Sequence, residues 1–397
     1  MTQLDVVVVG AGPAGVACAI TAADLGLRVV CCDKATFPRD KTCGDGLTTA
    51  ALRTLEQLGV PLGALEPEWA HVRETVVVSP SGRQVSLPLP TDGAYSTVVP
   101  RTHLDASLVA VARARGVDIR EGAALTDVVT DANGTKVRLA DGTTLEANYV
   151  VAADGHWSAV RRLVAPPSKP ALGDWHAARA YFRDVHDDRL WVLFEEDLLP
   201  GYAWVFPLPG GRANVGFGVL RSDGRTGREL KDLWTHVLAR PSVASILRGA
   251  TPEHSVRAWP IPTSYDPDRL TFGRVLFTGD AASVVDPMTG EGIAQALETG
   301  ILAARAIATF GNDADAVTAR YRETVDNRLG HDLRFARSLQ RILRSPLGAR
   351  ASMRVAGLTP WTRRNFARWL FEDYPRALVL TPSRWRRHMF TGPGAYR

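Results

Sequence analysis

The chain has 397 residues, 45 % of them hydrophobic and 22 % charged, an ordinary globular balance that excludes a disordered chain. No apolar run approaches the roughly 18 residues of a membrane span, and Met1 leads straight into an apolar run with no basic segment, so neither a transmembrane helix nor a signal peptide is expected. The net charge of +5 is uneven: residues 301–397 hold 18 Arg, no Lys and 7 acids, for +11, while residues 1–300 carry −6.

Asp5 to Gly10 is a continuous apolar run, as expected of a strand buried on both faces. A glycine-rich turn follows, then a predicted helix over Ala14–Leu25 that Gly26 ends. A second apolar run, Leu27–Cys32, closes at Asp33 and completes a strand–helix–strand unit. Residues 72–88 alternate around Pro80-Ser81-Gly82 and predict a hairpin. A helix is predicted over 102–115, then short strands over 117–151 with turns at Asn133-Gly134 and Asp141-Gly142.

The interval 166–267 is rich in Pro and Trp. Its runs at 190–196, 202–208 and 213–220 predict antiparallel strands, the last two joined at Pro209-Gly210-Gly211. Val275 to Asp280 predicts a late strand, 290–310 a helix, and the last 70 residues further helices. The expected fold class is α/β. A Rossmann-like dinucleotide domain (1–66, 96–165 and 268–325) is interrupted by an antiparallel β-sheet substrate domain (67–95 and 166–267). A C-terminal helical region (326–397) follows.

Gly10-Ala11-Gly12-Pro13-Ala14-Gly15 has the G-x-G-x-x-G spacing between a strand and a helix. The first glycine makes the tight turn, the second admits a pyrophosphate to the backbone, and the third lets helix and strand pack closely. The N–H groups of the helix N-terminus then face the phosphates. Asp33 stands at the end of the second strand, where a carboxylate can hold the ribose hydroxyls of an adenosine, and Lys34 beside it joins the cofactor-binding candidates. Cys18, Cys31, Cys32 and Cys43 lack zinc spacing, so no metal site and a reduced, cytoplasmic setting are expected.

Four blocks extend the motif: Arg101-Thr-His-Leu-Asp105; Asp154-Gly155 at a strand end; Gly279-Asp280; and Asp286-Pro287-Met-Thr-Gly290-Glu291-Gly292-Ile293. Taken singly, Asp154-Gly155 is more often a turn and Gly279-Asp280 is a common helix N-cap. In this order they resemble the FAD-dependent oxidoreductases with the hydroxybenzoate-hydroxylase-like fold. That resemblance implies FAD as cofactor. It places Gly279, Asp280, Pro287, Gly290, Gly292 and Ile293 on the ribityl chain and flavin, Arg101 and Leu125 near the adenosine and pyrophosphate, and Asp154 in the flavin pocket.

Two further segments narrow the resemblance. Pro38-Arg-Asp-Lys41-Thr-Cys43-Gly44-Asp45-Gly46 follows the second strand. Tyr202-Ala-Trp204-Val-Phe206-Pro207 is followed, after eight residues, by Gly216-Phe-Gly218. Both resemble the geranylgeranyl reductase family. This implies that Cys43, Gly44 and Gly46 lie beside the flavin and that Tyr202, Trp204, Phe206, Gly216 and Gly218 line a substrate cavity. The implied reaction is saturation of isoprenoid double bonds, with Cys43, Tyr202 and Trp204 as catalytic candidates. Saturation needs a hydride and a proton, and aromatic faces stabilise cationic character by about 0.5–2 kcal/mol. The bare alternatives are that the three aromatics fill a sheet core and that Cys43 is a small buried residue.

Two other functions share the motifs: a monooxygenase or halogenase acting on an aromatic natural product, and a non-enzymatic prenyl-binding protein. The absence of Lys between 42 and 135 disfavours halogenation. No second G-x-G-x-x-G is present for a nicotinamide domain, so NAD(P)H binding transiently or a ferredoxin-type protein is the expected reductant. In the basic C-terminal region, Arg334, Arg337, Arg341 and Arg344 share a helix face, and Trp361, Phe366 and Trp369 alternate with Arg363, Arg364 and Arg368. This pattern suits either a solvated cover or peripheral contact with a membrane surface. No recognition motif accompanies the charge, so no nucleic acid is expected as partner.

Overall fold

The computed structural model describes residues 3–89, 96–165, 173–221, 227–371 and 377. Residues 166–172 and 222–226 of the expected substrate domain, 90–95 of its upstream part and 378–397 of the basic tail lie outside these. The first sheet grows from the apolar runs. Leu4–Val9 is central, parallel to Val29–Cys32 on one side and to Thr144–Ala152 on the other. Asp118–Arg120 and Val275–Phe277 extend the two flanks, again in parallel. Val6, Val7 and Val8 are wholly buried, which is why this strand reads as unbroken apolar sequence. The helix Pro13–Asp24 crosses over and packs on the helix Ile293–Phe310. They meet so closely that a Cβ on Gly300 would lie 2.0 Å from the Ala14 carbonyl oxygen.

Three helix starts differ by small shifts from the sequence expectation, the first at Pro13 rather than Ala14. The helix expected over 290–310 begins at Ile293, because Gly290 holds φ +70° and Gly292 is its N-cap. The helix expected over 102–115 begins at Arg101 itself.

The second sheet runs in the order Thr251–Pro252, Trp175–Arg183, Arg212–Leu220, Tyr202–Leu208, Leu190–Leu193, Glu74–Val78 and Gln84–Pro88. Arg257–Ile261 also pairs with Trp175–Arg183. The upstream hairpin enters this sheet through a parallel pairing of Glu74–Val78 with Leu190–Leu193, so the sheet is mixed rather than purely antiparallel. One face is covered by the helices Gly227–Ala239 and Pro241–Ile246, which the strand-rich reading of 166–267 did not anticipate. Leu230, Leu233 and Val237 are buried at helical spacing, and Trp234 meets Phe182 and Phe217 at ring-centroid distances of 6.4 and 6.3 Å. The other face looks toward the glycine loop. The helices His331–Leu343, Pro346–Ala356 and Pro360–Phe371 close the molecule on that side. Among the described residues no helix is long and apolar enough to cross a membrane.

Candidate active site

A cavity of about 1010 Å³ lies between the two sheets. That is at the upper end of the roughly 300–1,000 Å³ that holds one drug-sized ligand, and it leaves room for a cofactor and a substrate together. The glycine loop contributes Gly10, Gly12 and Ala14, the second strand Asp33 and Lys34, and the segment beyond it Cys43, Gly44 and Gly46. Arg101, Leu125, Asp154, Gly279 and Asp280 line it further on, then Pro287, Gly290, Gly292 and Ile293. The second sheet supplies Tyr202, Trp204, Phe206 and Gly218.

Two expected site residues stand behind the wall. A Cβ on Gly15 would lie 1.8 Å from the Gly10 carbonyl oxygen, so this glycine serves helix–strand packing. A Cβ on Gly216 would lie 2.3 Å from Cζ2 of Trp204 and 2.5 Å from the Ala178 oxygen. Gly216 is the floor beneath the tryptophan, not a surface that a substrate touches.

The dinucleotide half is built from backbone. Gly10 holds φ +102°, and a Cβ there would meet the Ala153 oxygen at 2.4 Å. Gly12 is the N-cap of Pro13–Asp24 with no side-chain cap, and a Cβ on it would meet only Arg39 Nη2, at 3.6 Å. Gly292 caps Ile293–Phe310, also without a side-chain bond. Two helix N-termini therefore bring uncapped N–H groups to one cavity. Asp33 accepts from the Ala11 N–H at 2.7 Å and the Ala35 N–H at 2.8 Å. Each oxygen keeps a further lone pair for a ribose hydroxyl.

Arg101 donates twice to Asp105, at 2.8 Å each, and Arg39 pairs with the same fully buried carboxylate at 2.9 Å. Burial opposes the Arg101 charge, but Asp105 more than restores it. Two guanidiniums thus share one carboxylate, leaving net positive charge beside the glycine loop. Uncapped N-termini, an acid at the strand end and surplus Arg charge fit a flavin adenine dinucleotide; Asp33 would hold its ribose and the Gly12 helix start its diphosphate, with Asp280 and Gly292 left for the ribityl chain and ring. Asp154 already has structural work, with Oδ2 accepting from the Val160 N–H at 3.0 Å. Its Oδ1 is buried without a partner, and burial raises the carboxyl's pKa.

The opposite half is aromatic. Tyr202, Trp204 and Phe206 form a row with ring centroids 6.1 and 6.0 Å apart. Between them, Ala203 and Val205 point the other way into the core beneath the helices. The row therefore walls the cavity rather than filling the sheet core. The Tyr202 hydroxyl donates to the Thr289 carbonyl, tying the row to the Asp286–Gly292 loop. That loop is held from within by Asp286, which accepts from the N–H groups of Met288 and Thr289, both at 2.9 Å. Cys43 is partly exposed, and burial together with Asp45 pushes its thiol up, so it is neutral at physiological pH.

Sequence reasoning missed a polar cluster and a whole wall. Asp45, at φ +64° and wholly buried, accepts from the Tyr181 hydroxyl at 2.5 Å and from Asn214 Nδ2 at 2.8 Å. Asn214 also donates to the Cys43 carbonyl at 2.8 Å and accepts from Trp204 Nε1 at 3.0 Å. It thereby joins the Cys-Gly segment to the aromatic row, although it lies in the eight-residue gap of the motif. Arg179, buried in the same wall, pairs with Asp40 at 2.6 Å. The missed wall comes from the C-terminal helices. Leu339, Leu343, Met353, Phe366, Trp369 and Leu370 line the cavity, and Gln340 Nε2 donates to the Pro287 carbonyl at 2.9 Å. Their helical spacing was visible, but not the partner they cover.

Residues 3–324 match the model of the family described as FAD binding domain. Together with the cavity's chemistry, this makes the protein an FAD-dependent oxidoreductase. The chain is 34 % identical over 334 residues to a menaquinone reductase of Mycolicibacterium smegmatis, 78 % of each chain being covered. It is 29 % identical over 351 residues to a digeranylgeranylglycerophospholipid reductase of Methanothrix thermoacetophila, over 83 % of this chain and 86 % of the relative. A solved structure of a geranylgeranyl bacteriochlorophyll reductase-like protein from Thermoplasma acidophilum superposes with a TM-score of 0.78 at 22 % identity, covering 96 % of this chain and 99 % of that one. The chain belongs to the geranylgeranyl reductase family.

Proposed function

We propose that this protein saturates double bonds in the isoprenoid chain of a polyprenyl lipid, quinone or prenyl diphosphate. The observation that carries this reading is the wall opposite the glycine loop. It joins the row Tyr202, Trp204 and Phe206 to the apolar side chains of the C-terminal helices, a surface suited to a long greasy chain. Relatives named for reduction of menaquinone and of digeranylgeranylglycerophospholipid support the same substrate class. When bound, FAD supplies the hydride. The aromatic faces of Tyr202 and Trp204 favour a partial positive charge on the chain, and Cys43, Gly44 and Gly46 form the adjoining wall. The electrons come from transiently bound NAD(P)H or from a protein donor of the ferredoxin type. Anaerobic incubation of the reduced protein with prenyl substrates tests the reading by mass spectrometry: a gain of two hydrogens supports it, and no gain on any of them overturns it.

The same reading includes peripheral contact with a lipid surface. Residues 337–371 carry eight Arg and no acid. Leu347, Trp361, Leu358, Val355 and Ile342 there are 52–76 % exposed, and Ile342 also lines the cavity. Exposed apolar residues among Arg suit an anionic bilayer, with the substrate entering beside Ile342. Sedimentation should carry the protein down with phosphatidylglycerol vesicles but not phosphatidylcholine vesicles. The double substitution Leu347→Glu and Trp361→Glu should release it. Sedimentation unaffected by that change would refute the assignment.

A further inference from the structure

Saturating a carbon–carbon double bond needs a proton as well as a hydride, and the motifs name no donor. Three candidates in the wall are poorly placed to give one. The Tyr202 hydroxyl is committed to the Thr289 carbonyl. The Cys43 thiol is pushed above its ordinary 9.0, so it yields its proton reluctantly. The Lys41 ammonium lies 4.1 Å from the Trp259 ring centroid, held by its π face, although burial lowers its pKa and makes it the strongest rival donor. A fourth group is differently built. Asp45 lines the cavity and is wholly buried, and both of its hydrogen bonds, from Tyr181 and Asn214, end on Oδ2. Oδ1 is buried with no partner and is closed even to water, so the carboxyl turns toward the cavity to meet a substrate there. A buried oxygen left unpaired costs far less on a neutral carboxyl than on a carboxylate, and a ligand that meets it removes the cost. The residue also holds a left-handed backbone conformation at φ +64°, which is uncommon outside glycine and gathers at functional sites.

We propose that Asp45 holds, on Oδ1, the proton delivered to the substrate when the double bond is saturated. This rests on the reductase reading above. The balance is simple. A hydride brings one hydrogen and an electron pair from reduced FAD to one carbon. The O–H bond of Asp45 breaks, and its proton forms the C–H bond at the other carbon. The carboxylate left behind keeps the Tyr181 O–H and Asn214 N–H donors, faces the Arg179 and Arg101 charges, and is reprotonated from solvent. Burial is the largest influence on this carboxyl and raises it to about 6, against the lowering effect of Tyr181, Arg179, Asn214 and Arg101. Asp45 in turn helps to push the Cys43 thiol toward its neutral form, as a like charge does. Tyr181, which touches Asp45 and not the cavity, is a positioning residue.

The test uses the FAD-loaded protein and two readouts. Infrared difference spectra against Asp45→Asn should show a protonated-carboxyl band that disappears in wild type as pH rises through about 6. Single-turnover reduction of a prenyl substrate by pre-reduced protein should fall about tenfold per pH unit above the same midpoint, and Asp45→Asn should be slow and flat with pH. Tyr181→Phe removes a bond that favours the carboxylate, so its midpoint should move to higher pH, a shift that a merely structural role would not produce. A band missing from wild type, or an Asp45→Asn rate equal to wild type, overturns the proposal alone. An alkaline midpoint in wild type assigns the proton to Lys41 or Cys43 and also overturns it. Wild-type protein that saturates no prenyl substrate overturns the reductase reading and the proposal with it.

Discussion

Gly12 and Gly15 lie three residues apart in one motif, yet the structure assigns them opposite tasks, and alanine at each separates the two. Gly12 has φ −77°, open to any residue, and its added Cβ meets only the flexible end of Arg39 at 3.6 Å. Gly12→Ala should cost the apoprotein about 1 kcal/mol or less through the weaker cap. Its methyl, however, stands where a diphosphate approaches the first-turn N–H groups. Losing one charge-assisted hydrogen bond there is worth about 1.5–3 kcal/mol, or roughly 10- to 150-fold in Kd for FAD. At Gly15 the added Cβ falls 1.8 Å from the Gly10 oxygen and 2.9 Å from its carbonyl carbon, both backbone atoms. The helix must part from the loop, which costs about 1–3 kcal/mol or more before any cofactor binds. Urea unfolding of the apoproteins and fluorescence titration with FAD measure both quantities. The reasoning fails if Gly12→Ala binds FAD within about threefold of wild type, or if apo Gly15→Ala unfolds at the wild-type urea midpoint.

Gly216→Ala should push Trp204 out of its place, lowering stability by about 1–3 kcal/mol and slowing turnover while FAD affinity stays unchanged; stopped-flow reduction alongside FAD titration reads the split. Asp45 also sets a pH dependence of stability. Its carboxyl rises from 3.8 to about 6 on folding, so the folded state binds the extra proton between these values. The stability this gives is complete below pH 3.8 and lost as pH rises through about 6, a swing of about 3 kcal/mol that Asp45→Asn should abolish in parallel melts. Gln340→Leu removes the hydrogen bond to the Pro287 carbonyl, about 1 kcal/mol; hydrogen exchange at residues 288–292 should quicken relative to wild type.

What could be read in advance was whatever the sequence carries locally. The Leu4–Val9 run, the glycine spacing and Asp33 fix a strand–helix–strand unit because each is decided by residues a few positions apart. The alternation at Tyr202, Trp204 and Phe206 places them on one face, but which face meets a cavity depends on Leu230, Leu233 and Val237 covering the other. The parallel entry of Glu74–Val78 beside Leu190–Leu193 is a pairing between distant segments, and nothing in either run announces its partner. The polar cluster is more distributed still, with Asp45, Tyr181 and Asn214 arriving from three segments. The C-terminal helices read as an Arg-rich cover or a membrane contact because their charge is conspicuous, whereas Leu339, Leu343 and Met353 on the inner side complete the cavity.

The most direct test of the account is a single anaerobic turnover. Protein carrying fully reduced FAD is mixed with a prenyl diphosphate or a polyprenyl quinone in deuterated water, and the lipid is extracted for mass spectrometry. The account predicts oxidised flavin and a product heavier by the two added hydrogens, at least one of them solvent deuterium. Flavin that stays reduced with every such lipid, but is oxidised with substrate-dependent oxygen uptake when an aromatic compound and air are supplied, would contradict it.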